Sequence, residues 1–263
     1  MQRIPAEPST GESAVADTNR FDSAHAETTG WHAHGTGQFI LVEAGTSQLY
    51  TELGTWIIPA RRIAWVPPGV LHASRSSGSG SGWVVIPPVR LTELPSRVCV
   101  LRASALMISA LQRVATLAPL GRLGDLLWRV IAEEMRGAQP ELLEVPLPSS
   151  PRLLKAAKSV LASPTAAISL DRIAAHAGMS RRTFARHFRT QTGLSFARWK
   201  RAVIAQHALE LVASGHKVSS VATDVGYESV SAFIAMFRRQ YGESPRQFLL
   251  ENSERYLEGN NIH

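Results

Sequence analysis

The side chains best suited to chemistry fall into two groups. Arginines and hydroxyl residues recur in the C-terminal half, and histidines stand at 32, 34 and 72 in the N-terminal half. The first group belongs to a diverged duplication. One copy reads Ile173-Ala-Ala-His-Ala-Gly178-Met-Ser180, then Phe184, Phe188 and Gly193. The other reads Val221-Ala-Thr-Asp-Val-Gly226-Tyr-Glu-Ser229, then Phe233, Phe237 and Gly242. The first glycines are 48 residues apart and the phenylalanines 49, so the second copy has one extra residue in its turn. Each copy predicts a helix-turn-helix. A small residue (Ala174, Ala222) lets a second helix approach closely, and a glycine ends the first helix where a left-handed backbone is cheap. Ser180 or Ser229 caps the second helix, and phenylalanines at i, i+4 bury one of its faces.

The opposite face of each second helix is polar. The first copy offers Ser180, Arg181, Arg182, Thr183, Arg186 and Arg189; the second offers Glu228, Ser229, Ser231, Arg238 and Arg239. A helix fits the major groove of duplex DNA, where arginine grips guanine N7 and O6 with two hydrogen bonds. Arg182 and Arg186 are the best base-reading candidates, with Ser231 and its neighbours in the second copy. Arg238 and Arg239 are expected on phosphate, and any single arginine on such a face can equally be a phosphate contact or simply solvated. Between the copies, residues 195–214 contain no glycine or proline. Twenty helical residues span roughly 30 Å, close to the ~34 Å of one DNA turn. A rod of that length can hold two helices in successive major grooves.

The charge distribution points the same way. Residues 1–150 hold 12 basic and 13 acidic side chains, a net −1, whereas residues 151–263 hold 16 and 8, a net +8, of the chain's +7. The whole excess lies beside the duplication, which predicts a polyanionic partner, double-stranded DNA. A solubilising surface would carry the same excess. The lone Cys99 can form no internal disulfide and no cysteine-rich zinc site, so a reducing, cytoplasmic setting is expected. No run of 18 apolar residues exists, which removes a spanning helix, and the first twenty residues lack the apolar core of a signal peptide.

The 263 residues suffice for two domains. Residues 1–24 read as a flexible tail. Residues 25–103 read as a sensor domain of short strands (QFILVEA, SQLYTEL, TWIIP, RIAWVP, GWVVIP, RVCVL) punctuated by glycine and proline, the pattern of a small barrel or sandwich, with a flexible loop at 74–82. Residues 104–136 show helical spacing and predict a helix pair that covers the barrel or joins two copies in a homodimer. Proline-rich 137–150 reads as a linker. Residues 151–253 read as helices, with Ser149 or Ser150 capping one that starts at Pro151, and with helix-turn-helix motifs at about 168–190 and 217–241. The expected class is a multidomain α+β protein with an N-terminal β-barrel plus helix pair and an all-α C-terminal domain.

The C-terminal part resembles the DNA-binding domain of the AraC/XylS family of bacterial transcription regulators. The likeness rests on both motifs, the joining segment and the string from Val225-Gly-Tyr-Glu-Ser through Phe-Arg-Arg-Gln-Tyr-Gly-Glu-Ser-Pro245. It implies sequence-specific binding to duplex DNA and control of transcription initiation, often with RNA polymerase contact. Ile204 departs from it, because the family often has a basic residue near this point of the joining helix. The clusters His32-Ala-His34 with Gln38, and Pro67-Pro-Gly69-Val-Leu-His72, resemble the two cupin motifs, which face one another inside a β-barrel. The resemblance implies either a divalent metal held by three neutral imidazoles, or a pocket whose histidines bond an organic effector or each other. Gln38 replaces the usual glutamate, Arg61 stands where a glycine is common, and the late asparagine is absent. Trp56, Trp65 and Trp83 fit the lining of such a pocket or, at strand spacing, the core. Cupin-first members of the family resemble the whole chain. That implies a regulator, not an enzyme, which answers a small-molecule effector and controls a transporter or catabolic gene. The alternative is a metal-dependent cupin enzyme fused to a DNA-binding module. An alkylation-repair sensor would need a cysteine cluster, and no Ser-His-Asp set, Walker loop or dinucleotide fingerprint is present.

Overall fold

A computed structural model describes residues 17–22, 28–76, 80–88, 91, 93–116, 121–138 and 143–250. The N-terminal half holds strands β1 (Asp17–Asp22), β2 (Gln38–Ala44), β3 (Thr46–Thr51), β4 (Gly54–Pro59), β5 (Arg62–Val66), β6 (His72–Ser76), β7 (Ser81–Ile86) and β8 (Cys99–Arg102). Helices α1 (Ala105–Thr116) and α2 (Gly121–Gly137) and strand β9 (Glu144–Pro146) follow. Two antiparallel sheets result, with strand orders β1-β7-β2-β5-β8 and β6-β3-β4-β9.

β2 shows why these residues form strands. Phe39 and Leu41 pack with Ile63, Trp65, Met107, Leu111, Trp128 and Ile131, so one face of the five-stranded sheet lies under the helix pair. Ile40 and Val42 point the other way and join Leu49, Ile57 and Ile58 between the sheets. A strand covered on both faces reads as an unbroken apolar run, and Phe39-Ile-Leu-Val42 in the middle of β2 does.

Three short strands depart from expectation. Residues 17–22, assigned to a flexible tail, form β1 antiparallel to β7. The strand is mostly polar because it lies at a sheet edge, and Phe21 reaches across Gly82, where a Cβ would stand 2.6 Å from its ring. Residues 74–76, read as part of a flexible loop, complete β6 against β3. Residues 144–146, inside the expected linker, form β9 against β4. All three are short and lack alternation, so backbone pairing holds them rather than a sequence pattern. The rest of the expected tail, residues 77–79 of the loop and residues 139–142 lie outside the described residues.

The C-terminal half is helical: α3 (Pro151–Ala162), α4 (Leu170–His176), α5 (Arg181–Thr192), α6 (Phe196–Ala213), α7 (Val218–Asp224) and α8 (Val230–Tyr241). Ser150 occupies the cap position before Pro151 but makes no side-chain cap bond. α6 is buried almost all round. Phe196, Trp199 and Val203 pack with Phe184 and Phe188 of the first motif. Ile204, Leu209 and Val212 share a cluster with Phe233 and Phe237 of the second motif and with Leu49 and Ile57 of the sheets. The departure at Ile204 thus has a physical reason: it is 1% exposed among apolar side chains, where a cation would lose its water.

Polar contacts also cross from sheet to helix. Gln206 Nε2 donates to the carbonyls of Leu143 at 2.8 Å and Thr55 at 3.3 Å. The Arg75 guanidinium contacts the Glu210 carboxylate, and Gln48 Nε2 donates to the same carboxylate at 3.0 Å. Trp199 Nε1 donates to the Pro146 carbonyl at 2.7 Å.

Candidate nucleic-acid interface and sensor pocket

Each helix-turn-helix is fixed by the devices its sequence advertises. Gly178 and Gly226 lie in the left-handed region, with φ of 65° and 80°. The Ser180 hydroxyl accepts from the Thr183 amide and that of Ser229 from the Ala232 amide, so α5 and α8 are both capped. Phe184, Phe188, Phe233 and Phe237 are fully buried. The extra residue of the second copy lies between Gly226 and Ser229.

On α5, Phe184, Phe188 and Thr192 mark the buried stripe. At 100° per residue, Arg182, Arg186 and Arg189 fall on the opposite side together with Thr190, and all four are exposed. Thr183 is half-buried. Arg181 points elsewhere: its guanidinium holds Asp171 of α4 at 3.0 Å. On α8 the exposed face carries Ser231, Ala235, Arg238 and Arg239, and Glu228 is exposed just before the cap. Thr190 and Ala235 were missed by sequence reasoning. Only the rotational position of the buried stripe reveals that they share the outer faces. Both outer faces stay open with the sheets packed on α6.

In the N-terminal half, His32, His34 and His72 come together, their ligand atoms within 4.8 Å of one another. Residue 32 pairs with residue 72 as an isolated antiparallel bridge. Gln38, from the other sheet, places Oε1 2.9 Å from His72 Nε2. His72 is 1% exposed. Burial holds its imidazole down at about 4, against a hydrogen bond to Val70 that works the other way, so the ring is neutral at physiological pH. The four residues named from the cupin-like motifs therefore share one place.

The tryptophans divide. Trp65 is core, its Nε1 donating to the Pro95 carbonyl at 2.8 Å. Trp83 donates to Glu43 at 3.0 Å beneath Arg20. Trp56 lines a cleft of about 1520 Å³ between β3–β4 and helices α3 and α6, beside Trp31, Tyr50, Arg75, Lys158 and Glu210. Sequence reasoning missed this cleft because its walls lie far apart along the chain. The Cys99 thiol is buried and pushed up to about 11, which leaves it almost wholly protonated and unreactive. Arg61, at the site of the common glycine, is the one non-glycine with positive φ among the described residues, at 62°.

Two protein families match the chain: an AraC-like ligand binding domain over residues 20–111 and a helix-turn-helix domain over residues 173–251. Among curated relatives, the HTH-type transcriptional regulator NimR of Escherichia coli is 28% identical over 222 residues, covering 83% of this chain and 81% of NimR. The HTH-type transcriptional regulator RipA of Corynebacterium glutamicum is 38% identical over 104 residues, 39% of this chain and 31% of RipA. Among solved structures, ToxT of Vibrio cholerae aligns over 90% of this chain and 98% of its own, with 13% identity and a TM-score of 0.39. Among the described residues, no helix is long and apolar enough to cross a membrane. With a ligand-binding domain of the AraC type ahead of paired helix-turn-helix motifs, the chain belongs to the AraC family of DNA-binding transcriptional regulators.

Proposed function

We propose that this regulator reads duplex DNA with the outer faces of α5 and α8, and that a small molecule bound in its N-terminal domain sets how well it does so. The observation that carries the reading is the joining helix. α6 is the shared core of both motifs and also the surface on which the sheets sit, through Gln206 and the Arg75–Glu210 pair. A ligand that shifts the sheets relative to α6 therefore acts on both recognition helices at once. Arg182 and Arg186 contact bases, with Ser231 in the second copy. Arg189, Arg238 and Arg239 neutralise phosphate, while Ser180 and Ser229 serve first as caps. Thr183 and Glu228 stand at the rims, and Arg181 braces α4.

The helix pair supplies the face for a homodimer: Leu106, Leu123 and Leu126 are each about half exposed on it. The role is regulatory rather than catalytic. Gln38 stands where an acid–base carboxylate would be, and an amide neither takes nor gives a proton near neutrality. Action on transcription in the cytoplasm, through RNA polymerase and on a transporter or catabolic gene, completes the proposal. Genomic footprinting of the purified chain, with and without small molecules of the neighbouring pathway, tests it. Discrete sites whose occupancy changes with one compound are expected; sequence-independent binding that ignores every compound would overturn it.

A further inference from the structure

We propose that Arg62, on the five-stranded sheet, is a positioning residue for DNA reading: through its ion pair with Glu243 it fixes the C-terminal end of α8, and with it the place where the second helix meets the major groove. The inference rests on α8 reading DNA and deepens that reading by adding a residue from the other half of the chain.

The pair lies out of the solvent. Arg62 begins β5, and its guanidinium stands 3.6 Å from the Glu243 carboxylate, the two side chains being 5% and 12% exposed. A charge held at that depth is costly unless its partner stays in place, so the two side chains hold each other. Alternation along β5 aims the arginine. Ile63 turns into the cluster under the helix pair, whereas Ala64 and Val66 join the cluster of α7 and α8, and Arg62 shares their side.

The base of Arg62 is rigid. The chain reverses between β4 and β5 at Ala60 and Arg61. The Ala60 amide donates to the Gly45 carbonyl at 3.1 Å and the Arg61 amide to the Val42 carbonyl at 2.8 Å, while the Arg61 carbonyl accepts from the Ala103 amide at 3.2 Å. A left-handed non-glycine such as Arg61 persists where its surroundings over-determine it, and these three bonds do so. Arg62 Nη1 also donates back to the Ala60 carbonyl at 3.4 Å.

The other end is fixed too. Glu243 follows Gly242, the left-handed C-cap of α8, and precedes Ser244. The Ser244 amide donates to the Gln247 side chain at 2.9 Å and its hydroxyl accepts from the Gln247 amide at 3.3 Å. Glu243 therefore sits between a closed helix and a closed turn. A carboxylate just past a helix C-terminus opposes the helix dipole, and the cation from the sheet offsets it. The duplication provides the contrast: Gly193, Leu194 and Ser195 stand where the second copy has Gly242, Glu243 and Ser244. Leu194 packs on the phenylalanine cluster of its own motif. The carboxylate stands in the copy that faces β5. The twelve residues of α8 span about 18 Å, so a tilt of about 10° moves one end against the other by ~3 Å. That is close to the ~3.4 Å rise of one base pair.

Spacing tolerance tests the anchor. The full chain selects duplexes from a random pool, and the second half-site of a selected duplex is then moved by one base pair either way. The parent should prefer its own spacing by roughly tenfold, the cost of one mismatched pair. Glu243→Gln keeps the shape and removes the charge; Arg62→Met with Glu243→Leu replaces the pair by apolar side chains. Both should bring the preference below about threefold, and Arg62→Lys, which keeps the cation, should retain most of it. Lost stability lowers binding at every spacing alike and leaves this ratio unmoved. A preference retained in both charge-removing variants, or losses equal at every spacing, overturns the anchor and leaves DNA reading by two helices intact. A parent that binds DNA without regard to spacing or sequence overturns both.

Discussion

The two helix-turn-helix motifs share a plan but differ in what holds them and what they present. The first packs its phenylalanines against α3 and the N-terminal half of α6, and its outer face carries three arginines. The second shares its core with the β-sheets, and the front of its outer face is Ser231 and Ala235, with its arginines in the last turn. Their turns differ as well. A Cβ on Gly178 would meet open space, whereas one on Gly226 would stand 2.5 Å from Thr165 Oγ1. The loop after α3 is clamped there, since the Ala166 amide also donates to the Val225 carbonyl at 2.9 Å. Duplication preserved the caps and the buried faces, which folding requires. It let the outer faces and the packing partners diverge, so the first copy presents three exposed arginines and the second packs against the sheets.

The largest effect that would sharpen this contrast concerns the turns. Gly226→Ala should cost about 2–4 kcal/mol, the sum of a left-handed alanine and an overpacked contact. Gly178→Ala should cost about 1 kcal/mol, from the backbone angle alone. Denaturant unfolding of the two variants checks this, and equal costs would break the proposed difference in docking.

On the cognate site, Arg182→Ala and Arg186→Ala should each lose ~1–3 kcal/mol and relax preference at one position. Arg238→Ala and Arg239→Ala should instead lose affinity equally on cognate and scrambled DNA and lower the log–log salt slope by about 1 each. Competition binding at several salt concentrations distinguishes the two pairs.

Gln206→Leu leaves the buried Leu143 and Thr55 carbonyls without their donor and should cost ~1–3 kcal/mol. Because α6 joins the sheets to the second motif, amide exchange should quicken in α7 and α8 more than in α4 and α5. The smallest effect belongs to Arg75→Ala, about 0.5–1 kcal/mol, since its side chain is 39% exposed. It should be silent on the first motif by the same exchange measurement.

Much of this was legible in the sequence where local chemistry decides the outcome. The caps at Ser180 and Ser229, the left-handed glycines and the paired phenylalanines follow from residue type and spacing, and so does β2 with its unbroken apolar run. The shared cluster of His32, His34, Gln38 and His72 was legible through its likeness to cupin motifs, and the bridge between residues 32 and 72 supplies the contact. What was not legible depends on distant partners. β1, β6 and β9 are strands only because β7, β3 and β4 offer them edges. Arg181 reads in the sequence like its neighbours, and only the fold shows Asp171 of α4 3.0 Å from its guanidinium. The interdomain cleft and Gln206 have no local signal at all, because their meaning lies in contacts between residues some 150 positions apart, as at 55 and 206.

The most direct test of the account is a hydroxyl-radical footprint of the full chain on its operator, compared with Arg182→Ala and Ser231→Ala. Two protected patches one helical turn apart on a single face of the duplex are expected, the first weakened by Arg182→Ala and the second by Ser231→Ala. Uniform protection regardless of sequence, or a single patch that neither substitution alters, would contradict the claim that two helices on one rod read the DNA.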